Sequence, residues 1–262
     1  MPCLLLYGIF LFSSVGYARA SDCRSPKYDE TTTLISVVDG DTVILQDGRK
    51  LRLIGINTPE MQRQQEVAEP FAHKARVYLS KLIPAGTTIH LRYGVDKKDR
   101  YGRLLAHVFT SKDQNVAELL LKAGMGSSVQ ITPNLWSYHC YLEAEKQAQT
   151  SKTGIWSHPY SQFIDVKNIS PDAHGFHFVQ GQITRVGKSK NAVWLNMGKQ
   201  FALRISNADL IYFKQMDLEK LRGKTVAVRG WIYKIKKQQR INLHHPATLQ
   251  MLSAISDKAH NR

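Results

Sequence analysis

Two short apolar runs, Thr42–Leu45 and Leu51–Ile56, flank the pair Asp47-Gly48. Asp and Gly tolerate the positive φ of a tight turn, so this pair between apolar runs specifies a β-hairpin. An antiparallel pair folds its outer ends back together. Asp39 and Asp41 precede the first strand, and Asn57, Thr58 and Glu60 follow the second. Their oxygen-bearing side chains are therefore expected to meet. Hard oxygen ligands at one place suit Ca²⁺ or Mg²⁺ rather than zinc. Arg52 lies on the second strand, five residues before Asn57. A guanidinium beside such a site can grip a phosphate through two parallel hydrogen bonds.

Each piece has a plainer reading. Asp39-Gly40-Asp41-Thr42 alone is a turn, Thr58-Pro59-Glu60 alone is a strand exit, and Arg52 alone is a solvated side chain. Their combination carries the argument, and a third segment extends it. Asp99-Arg100-Tyr101-Gly102-Arg103 is a charged turn feeding the apolar run Leu104–Phe109. It places a second arginine, Arg103, at the start of another strand.

Val38-Asp39-Gly40-Asp41-Thr42, the run from Arg52 to Glu60, and Asp99-Arg100-Tyr101-Gly102-Arg103 resemble three motifs of the staphylococcal nuclease, or thermonuclease, family. The resemblance continues through Asn115–Gly124, ends near Gly154-Ile155-Trp156 and covers about residues 31–158. It implies an α+β fold, mainly β: a five-stranded OB-type barrel with three helices that hydrolyses DNA and RNA with Ca²⁺. On the matching positions Asp41, Asn57 and the Thr58 carbonyl are expected to ligate the ion. Glu60 is the expected general base, Arg52 and Arg103 the phosphate clamps, and Asp39 an orienting group. The resemblance also implies 3′-phosphate products. Two departures stand out. The family usually carries Asp where this chain has Asn57, and tyrosines where it has Ser127-Ser128-Val129-Gln130-Ile131. The alternative is a catalytically inactive nucleic-acid-binding or scaffolding module. Such modules lose the acid or the arginines, whereas Asp41, Arg52, Glu60 and Arg103 are all present.

Residues 4–17 are apolar but short for a membrane span, and Ala18-Arg19-Ala20 has signal-peptidase spacing. Residues 1–20 therefore read as a signal peptide, which places the mature chain in the periplasm or outside the cell with no stable membrane partner. Retention as an anchor is the other reading. Cleavage leaves Cys23 and Cys140. In an exported chain the pair suggests a disulfide, the alternative being two unpaired thiols.

Along the chain, Thr32–Val38 reads as the first strand. Met61–Glu69 reads as a polar loop beside the site. Pro70 opens a helix running to Ile83. Thr87–Tyr93 and Leu104–Thr110 are strands, Asn115 caps a helix over Val116–Ala123, and Glu143–Thr150 belongs to a third helix. The domains expected are 21–158 as the nuclease-like unit, 159–174 as a linker and 175–262 as a smaller accessory unit. In the last, Phe176–Val186, Ala192–Met197, Phe201–Ile205, Thr225–Ile235 and Arg240–Leu243 are strand-like, Thr248–Leu252 is a further edge, and Ala208–Leu221 reads as an amphipathic helix. Strands, one helix and strands again is an OB-like order; a β-sheet accessory domain of another kind is the alternative.

Charge is unevenly divided. Residues 160–262 hold 17 Lys and Arg against 6 Asp and Glu, and residues 1–159 hold 19 against 15. The region without the motifs is the more basic, which points to a polyanion as its partner and suggests a tether for nucleic acid. Lys234, Lys236, Lys237 and Arg240 cluster around one turn near Trp231. Cations with aromatics on a barrel fit single strands. A solvated hairpin tip over a core tryptophan fits the same residues.

Overall fold

The computed structural model describes residues 23–62 and 67–252. The expected signal segment lies outside the described residues. The first unit comprises β1 (Glu30–Val37), β2 (Thr42–Leu45), β3 (Lys50–Leu53), β4 (Ile56–Asn57), α1 (Ala72–Leu82), β5 (Thr88–Lys98), β6 (Leu104–Thr110), α2 (Val116–Lys122), β7 (Ser127–Ser128) and α3 (Tyr138–Thr150). Strands β1-β2-β3-β6-β5 close into a barrel. The first half of β1 pairs with β5 and its second half with β2, and β3 runs parallel to β6. This is the strand order of a five-stranded OB-type barrel. Leu34, Val43, Leu45, Leu51, Leu53, Ile89, Leu91 and Val108 fill it, alternating with outward residues as the strand period of two demands.

The second apolar run is not one strand. Gly55, at φ 87°, breaks it into β3 and β4, and the Tyr141 ring packs where a Gly55 side chain would stand. Asn57 therefore sits on a separate ribbon, paired antiparallel with β7: Ile56 faces Ser128 and Asn57 faces Ser127. The Asn115 side chain accepts the Glu118 amide and caps α2 as read from the sequence. The third helix, to which Glu143–Thr150 belongs in the sequence reading, runs from Tyr138 to Thr150. Cys23 and Cys140 form a disulfide that ties the N-terminal arm to α3.

The stretch read as a linker is built into the structure. Pro159–Ser161 makes a 3-10 turn, and β8 (Ile164–Asp165) pairs parallel with β9 (Gly175–Gln182). Val166, Ile169 and Ala173 pack on a second hydrophobic core. Then follow β10 (Arg185–Ser189), β11 (Ala192–Met197), β12 (Phe201–Ser206), β13 (Thr225–Ile235), β14 (Gln238–Asn242) and β15 (Leu249–Leu252). The sheet order is β10-β11-β12-β14-β13-β9-β8, with β12 parallel to β14. Counting β9 and β10 as one bent strand reproduces the order of the first barrel. β9 pairs with the fourth strand, β10 with the second, and the third and fifth run parallel.

Ala208–Leu221 is not an α-helix. It forms two 3-10 turns, Asp209–Phe213 and Glu219–Leu221. Asp217 accepts the Lys220 amide in the second turn. A span whose apolar spacing reads as continuous is thus divided into two short turns.

Candidate active site

The turn Val38–Asp41 delivers two carboxylates onto the end of the first barrel. Gly40 has to be glycine: a Cβ there would lie 2.6 Å from both Ala75 of α1 and the Thr58 hydroxyl. Asp39 Oδ1 accepts the Asp41 amide at 3.0 Å and fixes the turn. The Asp41 carboxylate is buried. Its Oδ2 accepts the Thr58 amide at 2.8 Å and the Thr58 hydroxyl at 3.0 Å, and its Oδ1 accepts the Thr42 hydroxyl at 3.1 Å. Arg52, opposite Thr42 in the β2–β3 ladder, brings Nη2 to 3.0 Å from Asp41 Oδ2 and donates from the same nitrogen to Asn57 Oδ1 at 3.2 Å. Asp39, Asp41, Asn57 and Thr58 are buried and Arg52 is nearly so.

Burial pushes the Asp41 carboxyl up to about 7. Arg52 and the Thr58 amide oppose the rise, while Asp39 and Glu60 add to it. The donor set fits a hard divalent ion. Asp41 Oδ2 and Asn57 Oδ1 converge on a single cationic nitrogen of Arg52, and these two residues with Thr58 are the ones that would hold such an ion. The donors are one carboxylate, one amide and the neighbouring Thr58. Among the described residues, Cys, His and carboxylate ligand atoms gather in threes within 4.8 Å of one another only at Cys23, Glu118 and Cys140, where the sulfurs are spent in the disulfide.

Glu60 follows on the loop leaving β4. Its amide donates to Glu69 Oε2 at 2.8 Å, and its carbonyl accepts the Glu69 amide. The Tyr160 hydroxyl donates to the same Glu69 oxygen at 2.9 Å. Burial and the Glu69 charge drive the Tyr160 hydroxyl well above its ordinary pKa, so it stays a donor. Arg103 immediately precedes β6, the strand parallel to β3, two residues before Leu105, the partner of Arg52. It is turned onto Asp99, with Nε 2.7 Å from Oδ2, and its guanidinium lies 5.5 Å from the Tyr101 ring centroid. The structure joins Asp39, Asp41, Arg52, Asn57 and Thr58 in one network; no hydrogen bond joins Arg103 to it among the described residues.

Two supporting residues escaped the sequence reading. Tyr160 lies in the stretch taken for a linker. Arg229 lies on β13 of the second barrel and donates to Glu145 Oε2 at 2.5 Å and Ser128 Oγ at 3.0 Å. Glu145 in turn accepts the Ser128 amide and hydroxyl. Ser128 belongs to β7, the strand that carries Asn57 through β4. Neither link has a local motif. Glu145 alone gave a signal, a carboxylate on the buried face of α3 that needs a partner.

The hairpin residues of the second barrel are dispersed. Trp231 packs edge-on to Phe176 at 4.9 Å. Lys234 donates to the Pro171 carbonyl at 3.0 Å and lies 3.6 Å from Asp172. Lys236, at φ 55°, and Lys237 form the exposed turn. Arg240 points away from that turn, over the Trp194 ring at 4.6 Å.

An OB-type barrel with buried oxygen donors and an arginine at one end has the parts to meet a phosphate. The family model described as staphylococcal nuclease homologue matches residues 50–158. The thermonuclease of Staphylococcus hyicus is 34% identical over 149 residues, 56% of this chain and 83% of that protein. The thermonuclease of Staphylococcus intermedius is 34% identical over 124 residues, 46% of this chain and 72% of that protein. Endonuclease YncB of Bacillus subtilis (strain 168) is 31% identical over 130 residues, 48% of this chain and 61% of that protein. The chain belongs to the staphylococcal nuclease family.

Proposed function

We propose that this family member is an exported nuclease that hydrolyses phosphodiester bonds of DNA or RNA with a divalent cation, Ca²⁺ by family resemblance, and leaves 3′-phosphates. The observation that carries the reading is the convergence of Asp41 Oδ2 and Asn57 Oδ1 on one cation, Arg52. Asp41, Asn57 and Thr58 would hold the divalent ion, which when bound supplies Lewis-acid polarisation of a phosphoryl oxygen and a more acidic water. Arg52 and Arg103 present fixed positive charge to the phosphate, where negative charge builds in the five-coordinate transition state. Glu60 accepts the proton of the attacking water. Its main chain is held on both sides by Glu69, and Glu69 by Tyr160, so the base is positioned before substrate arrives. Asp39 fixes the turn that aims Asp41.

The Cys23–Cys140 disulfide supports an oxidising compartment, in line with the expected signal segment. An activity gel containing nucleic acid, run with Ca²⁺ and with excess chelator, tests the function. A cleared band with Ca²⁺ that disappears with chelator is expected. Clearing unchanged by chelator contradicts the metal, and no clearing under any divalent ion favours the non-catalytic binding module.

A further inference from the structure

The strands β9 to β15 of the second barrel carry six Lys and Arg and no Asp or Glu. Their outward residues form two rows across the sheet, fixed by the pairing register. One row runs Arg185, Asn196, Ala202, Arg240, Tyr233. The other runs Gly187, Trp194, Arg204, Asn242.

Trp194 is the centre of this face. Its indole Nε1 donates to Ser189 Oγ at 3.0 Å, which locks the ring edge. Gly187, beside it on β10, adds no side chain of its own, and the Arg185 guanidinium lies against it, 4.0 Å from where a Cβ would stand; Ala202, opposite Arg240 in the register, is fully covered. The Arg240 and Arg204 guanidinium groups lie 4.6 and 6.0 Å from the ring centroid. Arg240 Nε is steered by Gln238 Oε1 at 2.8 Å, and the Tyr233 hydroxyl by Asn242 Oδ1 at 2.9 Å. No carboxylate pairs with Arg185, Arg204 or Arg240 among the described residues. Such a surface has fixed aromatic planes and uncompensated cations, and its complement has flat π faces and repeating negative charge.

We propose that this face, centred on Trp194, Arg204, Arg240 and Tyr233, binds single-stranded nucleic acid. Arginines track the phosphates and the rings take bases by stacking, which a duplex cannot offer because its base faces are already stacked. From β10 to β13 the face spans five strands, about 19 Å at a spacing of about 4.8 Å. That suits the lower end of the about 4–16 nucleotides an OB barrel covers. The tip lysines Lys236 and Lys237 lie beyond the rows and are not the site. The face shares with the functional reading only the polymer, and its test runs without hydrolysis, so each can fail alone.

The full-length protein is titrated, in chelator, against a fluorescein-labelled phosphorothioate oligothymidylate by fluorescence anisotropy over a range of salt concentrations. Trp194→Ala is expected to weaken binding by about 5- to 100-fold, as loss of one stacking platform does, while Trp194→Tyr retains most of it. Arg204→Gln with Arg240→Gln is expected to flatten the log affinity against log salt slope by about 1.4, at about 0.7 per single-strand phosphate contact. Lys236→Ala with Lys237→Ala changes affinity by less than either. The arginine pair keeps the test decisive if Trp194→Ala fails to fold. Unchanged affinity and slope in the face variants overturns the proposal. So does a larger loss in the tip variant, or a face that holds duplex as tightly as single strand. Loss of binding to anionic phospholipid vesicles with oligonucleotide affinity intact overturns it as well and marks a lipid-facing surface.

Discussion

The two barrels share a strand order and differ in what their turns carry. In both, the third strand presents an outward arginine to the second: Arg52 faces Thr42, and Arg204 faces Trp194. In the first barrel the turn into the second strand is Asp39-Gly40-Asp41, and the exit from the third leads through Asn57 to Glu60. In the second barrel the corresponding turn is Lys190-Asn191, and the exit leads to Asp209, which accepts from Ser206 and Thr132. An arginine on an OB barrel is thus enough to meet a phosphate. In the proposed function, oxygen donors converging beside it, with a positioned base, let the first barrel cut the phosphodiester. On these two proposals the same frame supports a cutting end built from residues in turns and a holding face built from residues on strands.

The sharpest way to break this comparison is at the base. Glu60→Gln is expected to lower the hydrolysis rate by about 10²- to 10⁴-fold with the anisotropy titration unchanged, measured by initial rates on a labelled oligonucleotide. Wild-type rates would remove Glu60 from the reaction.

The barrels are also joined. Arg229 and Glu145 form a buried pair across the interface, and Phe178 of the second barrel meets Trp156, Tyr160 and Phe163 edge-on. Removing one partner of a buried pair leaves the other charge uncompensated. Arg229→Ala is therefore expected to cost about 3–5 kcal/mol in denaturant unfolding. Because Glu145 also holds Ser128, it should weaken divalent-ion binding at Asn57. Unaltered stability would mean the barrels are independent, and a chain cut near His158 would then behave as a simple nuclease unit. As the structure stands, that cut strips partners from Glu145 and Glu69.

The disulfide tests the first barrel's closure. It closes a loop with a sequence separation of 117, for which Cys23→Ala with Cys140→Ala is expected to cost about 2–5 kcal/mol. Equal stability of the oxidised and reduced protein would contradict this.

The smallest effect concerns the ion. Asn57→Asp adds an anionic ligand and is expected to tighten Ca²⁺ binding several-fold by calorimetry. Unchanged affinity would mean Asn57 does not touch the ion.

Much of this was legible in the sequence because its causes are local. The Asp47-Gly48 turn, the Asn115 cap and the strand period placed β2, β6, α2, β11 and β13 within a residue or so. The site residues were legible as motifs, since each motif sits on a turn that one glycine or proline fixes. What stayed hidden depends on distant partners. Gly55 divides a run of uniform apolarity, and only the packing of Tyr141 shows why. The periodic span Ala208–Leu221 breaks into two short turns. Tyr160 acts on Glu60 through Glu69, and Arg229 reaches the ribbon that carries Asn57 through Glu145 and Ser128, across separations no spacing encodes. Trp194 reads in the sequence only as part of a strand, because the arginines that flank it arrive from β12 and β14.

Steady-state kinetics on one long single-stranded substrate tests the division of labour most directly, comparing wild type, Glu60→Gln and Arg204→Gln with Arg240→Gln. The account predicts that Glu60→Gln lowers kcat by orders of magnitude with little change in KM, and that the arginine pair raises KM with kcat retained. A fall in kcat from the arginine pair that matches Glu60→Gln, with KM unchanged, would contradict it and make the second barrel part of the cutting site.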